Sequence, residues 1–329
     1  MSDWASIALR FGLYLDLMLL FGVALFGLYS LKGRERVSGV VLPFRSMLAG
    51  TTALGVLLSV ASMVMMASTM SGESDFAELR PHIEMMVVET DVGLAWVVRI
   101  IALIVGGLAV MPNLRAPGVS LVVAAIAGGV ALASLAWNGH GAMDEGSRRF
   151  WHFATDILHL LAAGAWFGAL VAFALMAKPD TLQTEERIRL LTRAVARFES
   201  VGALIVVVIT VTGVVNYLFI VGPTLDDVAL SAYGTLLIIK VGLFAGMLVL
   251  AALNRLHLGP LLQRALREGE YRVAANALRR SVLVELSTAV LIVALVAWLG
   301  TLSPDMETSI SAVKASTTFD NDLCLAQTR

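Results

Sequence analysis

Apolar residues fill most of the chain in long runs that are separated by short polar segments. About 20 consecutive apolar residues are needed for a helix to cross a bilayer. We predict eight spans, at residues 4–30, 44–70, 91–111, 118–138, 150–176, 199–222, 232–254 and 281–302. The runs are not ten-residue pieces of alternating hydrophobicity, which disfavours an outer-membrane barrel. The pattern therefore predicts an all-α, polytopic transmembrane helical bundle.

Composition supports a membrane protein and narrows the chemistry. The chain of 329 residues is 58% hydrophobic and 15% charged, whereas soluble domains are about a quarter charged. A single cysteine, Cys324, excludes a disulfide framework and a metal site built from clustered thiolates. We expect the bundle to occupy residues 1–303 and the polar residues 304–329 to form a disordered tail. The first run is too long for a signal peptide and lacks a basic leader, so we expect it to be retained.

Loop charges predict the orientation. Basic residues concentrate after spans one, three, five and seven, while the other loops are mainly acidic. Because basic loops stay in the cytoplasm, both termini should face the opposite side, the periplasm of a bacterial inner membrane. Two basic segments, 184–198 and 261–280, have apolar residues at helical spacing. They are either amphipathic helices on the inner leaflet or solvated loops.

Ionisable and polar side chains recur at similar depth inside several spans. These are Arg10 and Asp16 in span one, Arg99 in span three, His152, Asp156 and His159 in span five, Asn216 in span six and Lys240 in span seven. Such groups are expensive in hydrocarbon and mark functional sites by default. We expect a polar cavity open to the periplasm, in which the cations pair with the two aspartates. Glu199 and Glu285 fall near the inner face.

The stretch from Trp137 to Trp166 contains His140, His152 and His159. His152, Asp156 and His159 are spaced i, i+4 and i+7, so they share one helix face. The two histidines lie about 10 Å apart along the axis, too far for one metal ion to bridge them directly. Either His140 joins His152 in a shallow site with His159 deeper, or Asp156 orients one imidazole as its hydrogen-bond partner.

Methionines and glycines add two further hypotheses. Met63, Met66 and Met70 lie at i, i+3 and i+7 in span two, and Met143 follows His140. Thioether and imidazole ligands suit Cu(I), although a single buried methionine more often serves packing. Gly164 and Gly168 form a small-xxx-small pair, which favours close helix packing. Asn216 either caps a broken helix or bonds across the bundle, and His257 is expected at the surface.

The order of several motifs resembles that of the CopD family of bacterial inner-membrane copper-resistance proteins. The matching segments are WNGHGA at 137–142, HFATDILHLLAAGAWFGAL at 152–170, TGVVNY at 212–217, YGTLLIIKVGLF at 233–244, LAALNRLHLGPLL at 250–262 and RRSVLVE at 279–285. The resemblance implies an eight-helix protein that handles copper, with a periplasmic copper-binding protein of the CopC type as partner. The family's polar positions that match are His140, His152, His159, Asn216 and Lys240.

Three functions fit these observations. The first is a copper permease or delivery protein that uses a periplasmic-side site of His140, His152, His159, Met143, Met66 and Met70. The second is a haem-binding cytochrome, which requires a histidine from each of two helices. The third is a membrane scaffold that binds copper without moving it. We expect no enzyme, because no nucleophile–base or metal–water constellation is evident, and no nucleic-acid partner.

Overall fold

The computed structural model describes residues 3–36, 41–73, 75–110, 116–138, 146–178, 184–220, 222, 231–268 and 271–302. The α-helices in this part of the chain are α1 (Asp3–Ser30), α2 (Phe44–Ser71), α3 (Phe76–Glu89), α4 (Asp91–Val110), α5 (Pro117–Ala133), α6 (Gly146–Met176), α7 (Glu185–Ile220), α8 (Ala232–Leu253), α9 (Gly259–Glu268) and α10 (Tyr271–Leu299). Eight are long and apolar enough to cross a membrane, α8 being counted together with α9. The predicted all-α, multi-pass bundle is confirmed.

Helix α1 lies at the centre of the bundle and packs against α2, α5, α6 and α10. Its closest neighbour is α6, and glycines make the approach possible. A Cβ atom built on Gly22 would lie 2.1 Å from the carbonyl oxygen of Gly164, and one built on Gly168 would lie 2.2 Å from the carbonyl carbon of Gly22. Backbones can come this near only where side chains are absent, so the predicted packing role of Gly164 and Gly168 is confirmed.

The two ends of the bundle differ in what covers them. At one end, called the α3 end, lie α3 and the first residues of α1, α6 and α8. At the other, called the α9 end, lie α9 and the last residues of α1 and α6. Because the loop charges predict a cytoplasmic α9 end, the α3 end is the one predicted to face the periplasm.

Several helix boundaries differ from the prediction. The basic segment 184–198 is the first part of α7, which runs without a break to Ile220, and the segment 261–280 is divided between α9 and α10. Neither is a solvated loop, and only α9 is a separate short helix. Helix α3 was missed, because its proline and many acids conceal it; Asp75 caps its first turn by accepting a hydrogen bond from the N–H of Ala77.

Basic side chains at the α9 end donate hydrogen bonds to backbone carbonyls at the end of α1. Arg36 donates to the carbonyl oxygens of Gly27, Leu28 and Leu31, and Arg197 donates to that of Ser30. These carbonyls lie at the C-terminal end of α1, where backbone oxygens lack hydrogen-bond partners within the helix. Because this end of a helix carries partial negative charge, cationic side chains stabilise it. The arginines at the α9 end therefore cap α1, and they also belong to the basic residues from which the orientation is predicted.

Candidate functional site

A cavity of about 220 Å³, here called the histidine cavity, lies between α1, α6, α7, α8 and α10, nearer the α3 end. Its polar lining residues are Arg10, Tyr14, His152, Asp156, His159, Asn216, Tyr217, Tyr233 and Lys240. Ionisable side chains are rare inside membrane spans, and those that occur usually face the bundle interior or a water-filled cavity. The structure thus brings together most of the polar positions that the sequence singles out.

His159 is held in one tautomer by Thr212 of α7. The imidazole Nδ1 lies 2.9 Å from the Thr212 hydroxyl oxygen, and that hydroxyl lies 2.6 Å from the carbonyl oxygen of Val208. The hydroxyl has a single proton and donates it to Val208, so it accepts the bond from His159, whose Nδ1 carries the proton. The lone pair of Nε2 is then free to bind a metal ion.

His152 lies two turns away on the same helix and is buried. Its ring stacks on Phe219 of α7, with ring centres 5.1 Å apart and planes 20° from parallel. Only 3% of its surface is exposed. Seven residues of α-helix separate the two imidazoles by about 10 Å, so they form two levels of one cavity and not a single site.

Asp156 lies between the two histidines on α6, and its carboxylate interacts electrostatically with His152. The amide nitrogen of Asn216 lies 3.5 Å from an Asp156 carboxylate oxygen, across the bundle. Because the Nδ1 of His159 is hydrogen-bonded to Thr212, the hypothesis that Asp156 orients one imidazole stays a prediction that now concerns His152. Since α7 is unbroken at Asn216, the alternative in which this residue caps a broken helix is wrong.

A second cavity, of about 390 Å³, lies between α1, α2 and α4 and is called the methionine cavity. Met66 and Met70 line it together with Met65. Arg10 and Tyr14 line both this cavity and the histidine cavity, and so stand between them. Met66 and Met70 thus line one cavity, and His152 and His159 line the neighbouring one. Met63 instead packs against α3.

The predicted pairing with aspartates is wrong for Arg10 and Arg99, whereas Lys240 does interact electrostatically with Asp156. Arg10 donates to the carbonyl oxygen of Gly300. Arg99 donates through Nε to the Ser134 hydroxyl at 2.8 Å. Asp16 is buried against Gly55 of α2 and lines neither cavity, and its Oδ2 has no hydrogen-bond partner among the described residues. The placements of Arg99 and Asp16 are set by contacts with Ser134 and with Gly55 of α2, which no local pattern in α4 or α1 reveals.

Some predicted residues lie outside the part of the chain that the structure describes. These are His140, Met143, Cys324 and the tail from 304 to 329. Within the described residues, no three His, Cys, Asp or Glu side chains are grouped closely enough to hold a metal ion. A metal in the histidine cavity would therefore need ligands of other kinds.

One candidate ligand of another kind, a methionine, was not predicted from the sequence. Met18 of α1 lines the histidine cavity with His159, and its side chain is buried. Arg10, Tyr14 and Met18 are spaced i, i+4 and i+8, so they form one stripe of α1. The sequence shows that these three residues share one face of α1. Because most of α1 is aliphatic, the sequence does not show which face of the helix lines the cavity.

These features define a multi-pass helical membrane protein with a histidine-lined polar cavity inside the bundle. Residues 1–150 match the family model of the copper resistance protein D-like N-terminal domain, and residues 192–299 match that of copper resistance protein D. The chain belongs to the copper resistance protein D family, as the resemblance implied.

Three curated relatives agree with this assignment. The chain is 56% identical over 307 residues to copper resistance protein D of Pseudomonas syringae pv. tomato, covering 93% of this chain and 99% of that protein. It is 29% identical to copper transport protein CutJ of Bacillus subtilis (strain 168), covering 74% of this chain and 44% of that protein. It is 28% identical to inner membrane protein YebZ of Escherichia coli (strain K12), covering 83% and 90%. No solved structure matches. The chain is a copper-homeostasis membrane protein.

Proposed function

We propose that the protein carries copper, as Cu(I), across the bacterial inner membrane through the histidine cavity. The observation that carries this proposal is the hydrogen bond between His159 Nδ1 and Thr212, in a cavity that Met18 also lines. We infer from it that the Nε2 of His159 is unprotonated and available to a metal ion. Imidazole and thioether are ligands that bind copper well, and a Cu(I) ion does not require a cluster of carboxylates. The copper-related names of two relatives support copper as the substrate.

The methionine cavity supplies a first stage for this route. Its thioethers Met66 and Met70 lie nearer the α3 end, with 73% of the Met70 side chain exposed. Copper would pass from these sulfurs to His152 and then to His159. His140 and Met143 are proposed to join the first stage, and a CopC-like partner is proposed to deliver copper at the α3 end.

The charges in the histidine cavity are compatible with a cation. Lys240 lines the cavity and would repel copper on its own, but the Asp156 carboxylate interacts with it electrostatically. Arg10 is held at the Gly300 carbonyl. A nearby opposite charge offsets the repulsion between two cations. The Asp156 carboxylate therefore lowers the electrostatic cost of binding Cu(I) in this cavity.

The haem alternative has less support. A bis-histidine haem takes its ligands from two helices. The described histidines that line the cavity, His152 and His159, both belong to α6. We therefore propose no haem, and keep copper transport as the function to be tested.

Copper uptake into proteoliposomes tests the proposal. The wild type is expected to accumulate more copper than empty vesicles, and His152→Ala or His159→Ala to reduce uptake at least tenfold. His257→Ala is the control, because that residue lies in the π-helical turn Asn254–Leu258 at the α9 end. If the wild type took up no more copper than empty vesicles, transport would be refuted. If that protein still bound copper, the function of a copper-binding scaffold would replace transport. Equal uptake by every variant would refute the site.

A second experiment tests the role of Thr212. Thr212→Val removes the hydroxyl that fixes the Nδ1–H tautomer of His159, and Cu(I) affinity should fall roughly tenfold, as for other partners of metal-binding histidines. Thr210→Val is the matched control, since the Thr210 hydroxyl donates to Val206 of its own helix. Competition against a Cu(I) chelator measures both affinities. An unchanged affinity in Thr212→Val would show that the hydroxyl does not prepare His159 for copper.

A further inference from the structure

Glu285 of α10 is a buried acid without a neighbouring cation. Only 3% of its surface is exposed. Among the described residues, its hydrogen-bond partner is Asn254, whose amide nitrogen donates to a Glu285 carboxylate oxygen. Asp156, by contrast, has Lys240 to offset its charge. Because an ionised side chain inside a membrane is costly unless a partner accompanies it, an ionised Glu285 requires a positive charge from another source.

The described elements that pack against α10 do not supply that charge. No titratable side chain among them interacts electrostatically with Glu285. The halves of α6 and α8 nearest the α9 end contain no such side chain, and that half of α1 contains only Tyr29. Those of the π-helical turn and of α9 are all exposed, namely Arg255, His257, Arg264, Arg267 and Glu268. A proton or a passing cation is the remaining source of positive charge.

The Asn254 side chain can bond Glu285 in either protonation state. An ionised carboxylate accepts a hydrogen bond from the amide nitrogen, whereas a protonated carboxyl donates one to the amide oxygen. That amide oxygen, Oδ1 of Asn254, is buried and has no partner among the described residues. A basic residue at this position could bond only the ionised form. The pair therefore suits an acid that gains and loses a proton.

The position of the pair gives it access to the predicted cytoplasmic side. Asn254 is partly exposed and begins the π-helical turn, in which the N–H of Gly259 donates to the Asn254 carbonyl oxygen. Such turns are rare and frequently lie at functional sites. Glu285 follows Arg280 by five residues, or about 7.5 Å along α10. A proton thus has a short distance to travel between Glu285 and water at the α9 end.

Glu285 also lies between the proposed copper ligands and the cytoplasm. Ala289, one turn before it on the way from the α3 end, lines the same space as His159. Carboxylate and amide oxygens are poor ligands for Cu(I), so Glu285 would not hold the ion. Its negative charge can still offset the charge of a copper ion that passes through this half of the bundle.

We propose that Glu285, paired with Asn254, is a proton site that exchanges its proton for the charge of Cu(I). When copper enters the inner half of the bundle, the O–H bond of Glu285 breaks and the proton passes to water at the α9 end. When copper leaves, the carboxylate takes a proton back from the same side. This inference rests on the proposed copper route, and it makes copper passage slower when the cytoplasm is acidic.

Infrared spectroscopy of the purified, copper-free, full-length protein tests the proton site without copper. The carbonyl band of protonated carboxyls should weaken as the pH is raised, and Glu285→Gln should lack one carboxyl of that change. Glutamine keeps a hydrogen bond to Asn254, so the variant should fold. Glu199→Gln is the control, because Glu199 is a partly exposed acid near the same end. Identical pH-dependent changes in the wild type and Glu285→Gln would overturn the proposal.

Copper uptake into proteoliposomes tests the exchange. Glu285→Gln should slow uptake about tenfold, because the passing ion loses its counter-charge, while the equilibrium Cu(I) affinity of the histidine cavity stays the same. Wild-type uptake should slow as the pH is lowered, and the variant should lose the part of this dependence that Glu285 causes. Glu199→Gln should behave as the wild type does.

The outcomes separate this inference from the copper-transport proposal. Equal uptake rates with equal pH dependence in the wild type and Glu285→Gln would overturn the exchange while leaving transport in place. A wild type that took up no copper would refute transport and with it the exchange. In that case the infrared measurement would still decide whether Glu285 binds a proton.

Discussion

Gly168→Ala is expected to prevent α1 and α6 from packing, and to leave little folded protein. The new Cβ would lie 2.2 Å from the carbonyl carbon of Gly22 and 2.5 Å from the backbone nitrogen of Val23. These neighbours are backbone atoms, so no side-chain rotation can relieve the overlap, and the helices must move apart. Overpacking typically costs about 1–3 kcal/mol, and a backbone clash belongs at or above the upper end. Size-exclusion chromatography and thermal unfolding in detergent measure the loss.

Gly242→Ala is the matched control for this experiment. Gly242 is also inside a transmembrane helix, but a Cβ atom built there has nothing within 4 Å. Alanine is the better helix former by about 1 kcal/mol, so this protein should unfold at the same temperature as the wild type or slightly higher. If Gly168→Ala behaved like Gly242→Ala, the close contact between α1 and α6 would not exist in the membrane protein.

Ser134→Ala is expected to destabilise the bundle through Arg99. The Ser134 hydroxyl accepts from Arg99 Nε at 2.8 Å and donates to the Ala131 carbonyl at 2.6 Å. The Arg99 side chain is 2% exposed, so water cannot replace the missing acceptor. A hydrogen bond to a charged group contributes about 1.5–3 kcal/mol, which is the expected loss. The apparent Tm in a fixed detergent should fall accordingly.

Ser120→Ala separates this effect from a general cost of removing a buried hydroxyl. Ser120 is buried on α5, near Ser134 in sequence, but it does not accept from Arg99. Its substitution should change the Tm little. Equal losses in the two variants would mean that the hydrogen bond to Arg99 contributes nothing beyond burial, and the account of how this cation is tolerated would fail.

The division of the polar region into two cavities changes how the methionines are interpreted. Met66 and Met70 share a cavity with Met65, whereas Met63 packs against Leu79 and Met86. The i, i+3, i+7 spacing places the three predicted residues near one face of α2 but does not say which of them a neighbouring helix covers. Helix α3, which covers Met63, was not predicted. Met63 thus has the packing role that is favoured for any single methionine, and the missed helix α3 supplies its packing partners.

The charged residues illustrate the same limit. Hydropathy and helical spacing correctly singled out Arg10, Arg99, Asp156 and Lys240 as unusual for a membrane span. The predicted partners of Arg10 and Arg99 were wrong, because pairing by opposite charge ignores the hydroxyl and carbonyl acceptors that Ser134 and Gly300 offer across the bundle. Serine and glycine are common residues, and no sequence pattern marks the ones that accept a hydrogen bond from a buried cation.

The sequence by itself determined the class of protein, the spans, the face shared by His152, Asp156 and His159, and the family. Length, hydropathy and helical periodicity are local properties, so each can be read from one segment at a time. Only the tertiary structure decided that Thr212 fixes the tautomer of His159, that Met18 joins it, and that α7 and α8 stand apart. These features depend on how helices that are far apart in the chain are rotated against one another. Backbone contacts such as the one between Gly22 and Gly168 fix that rotation.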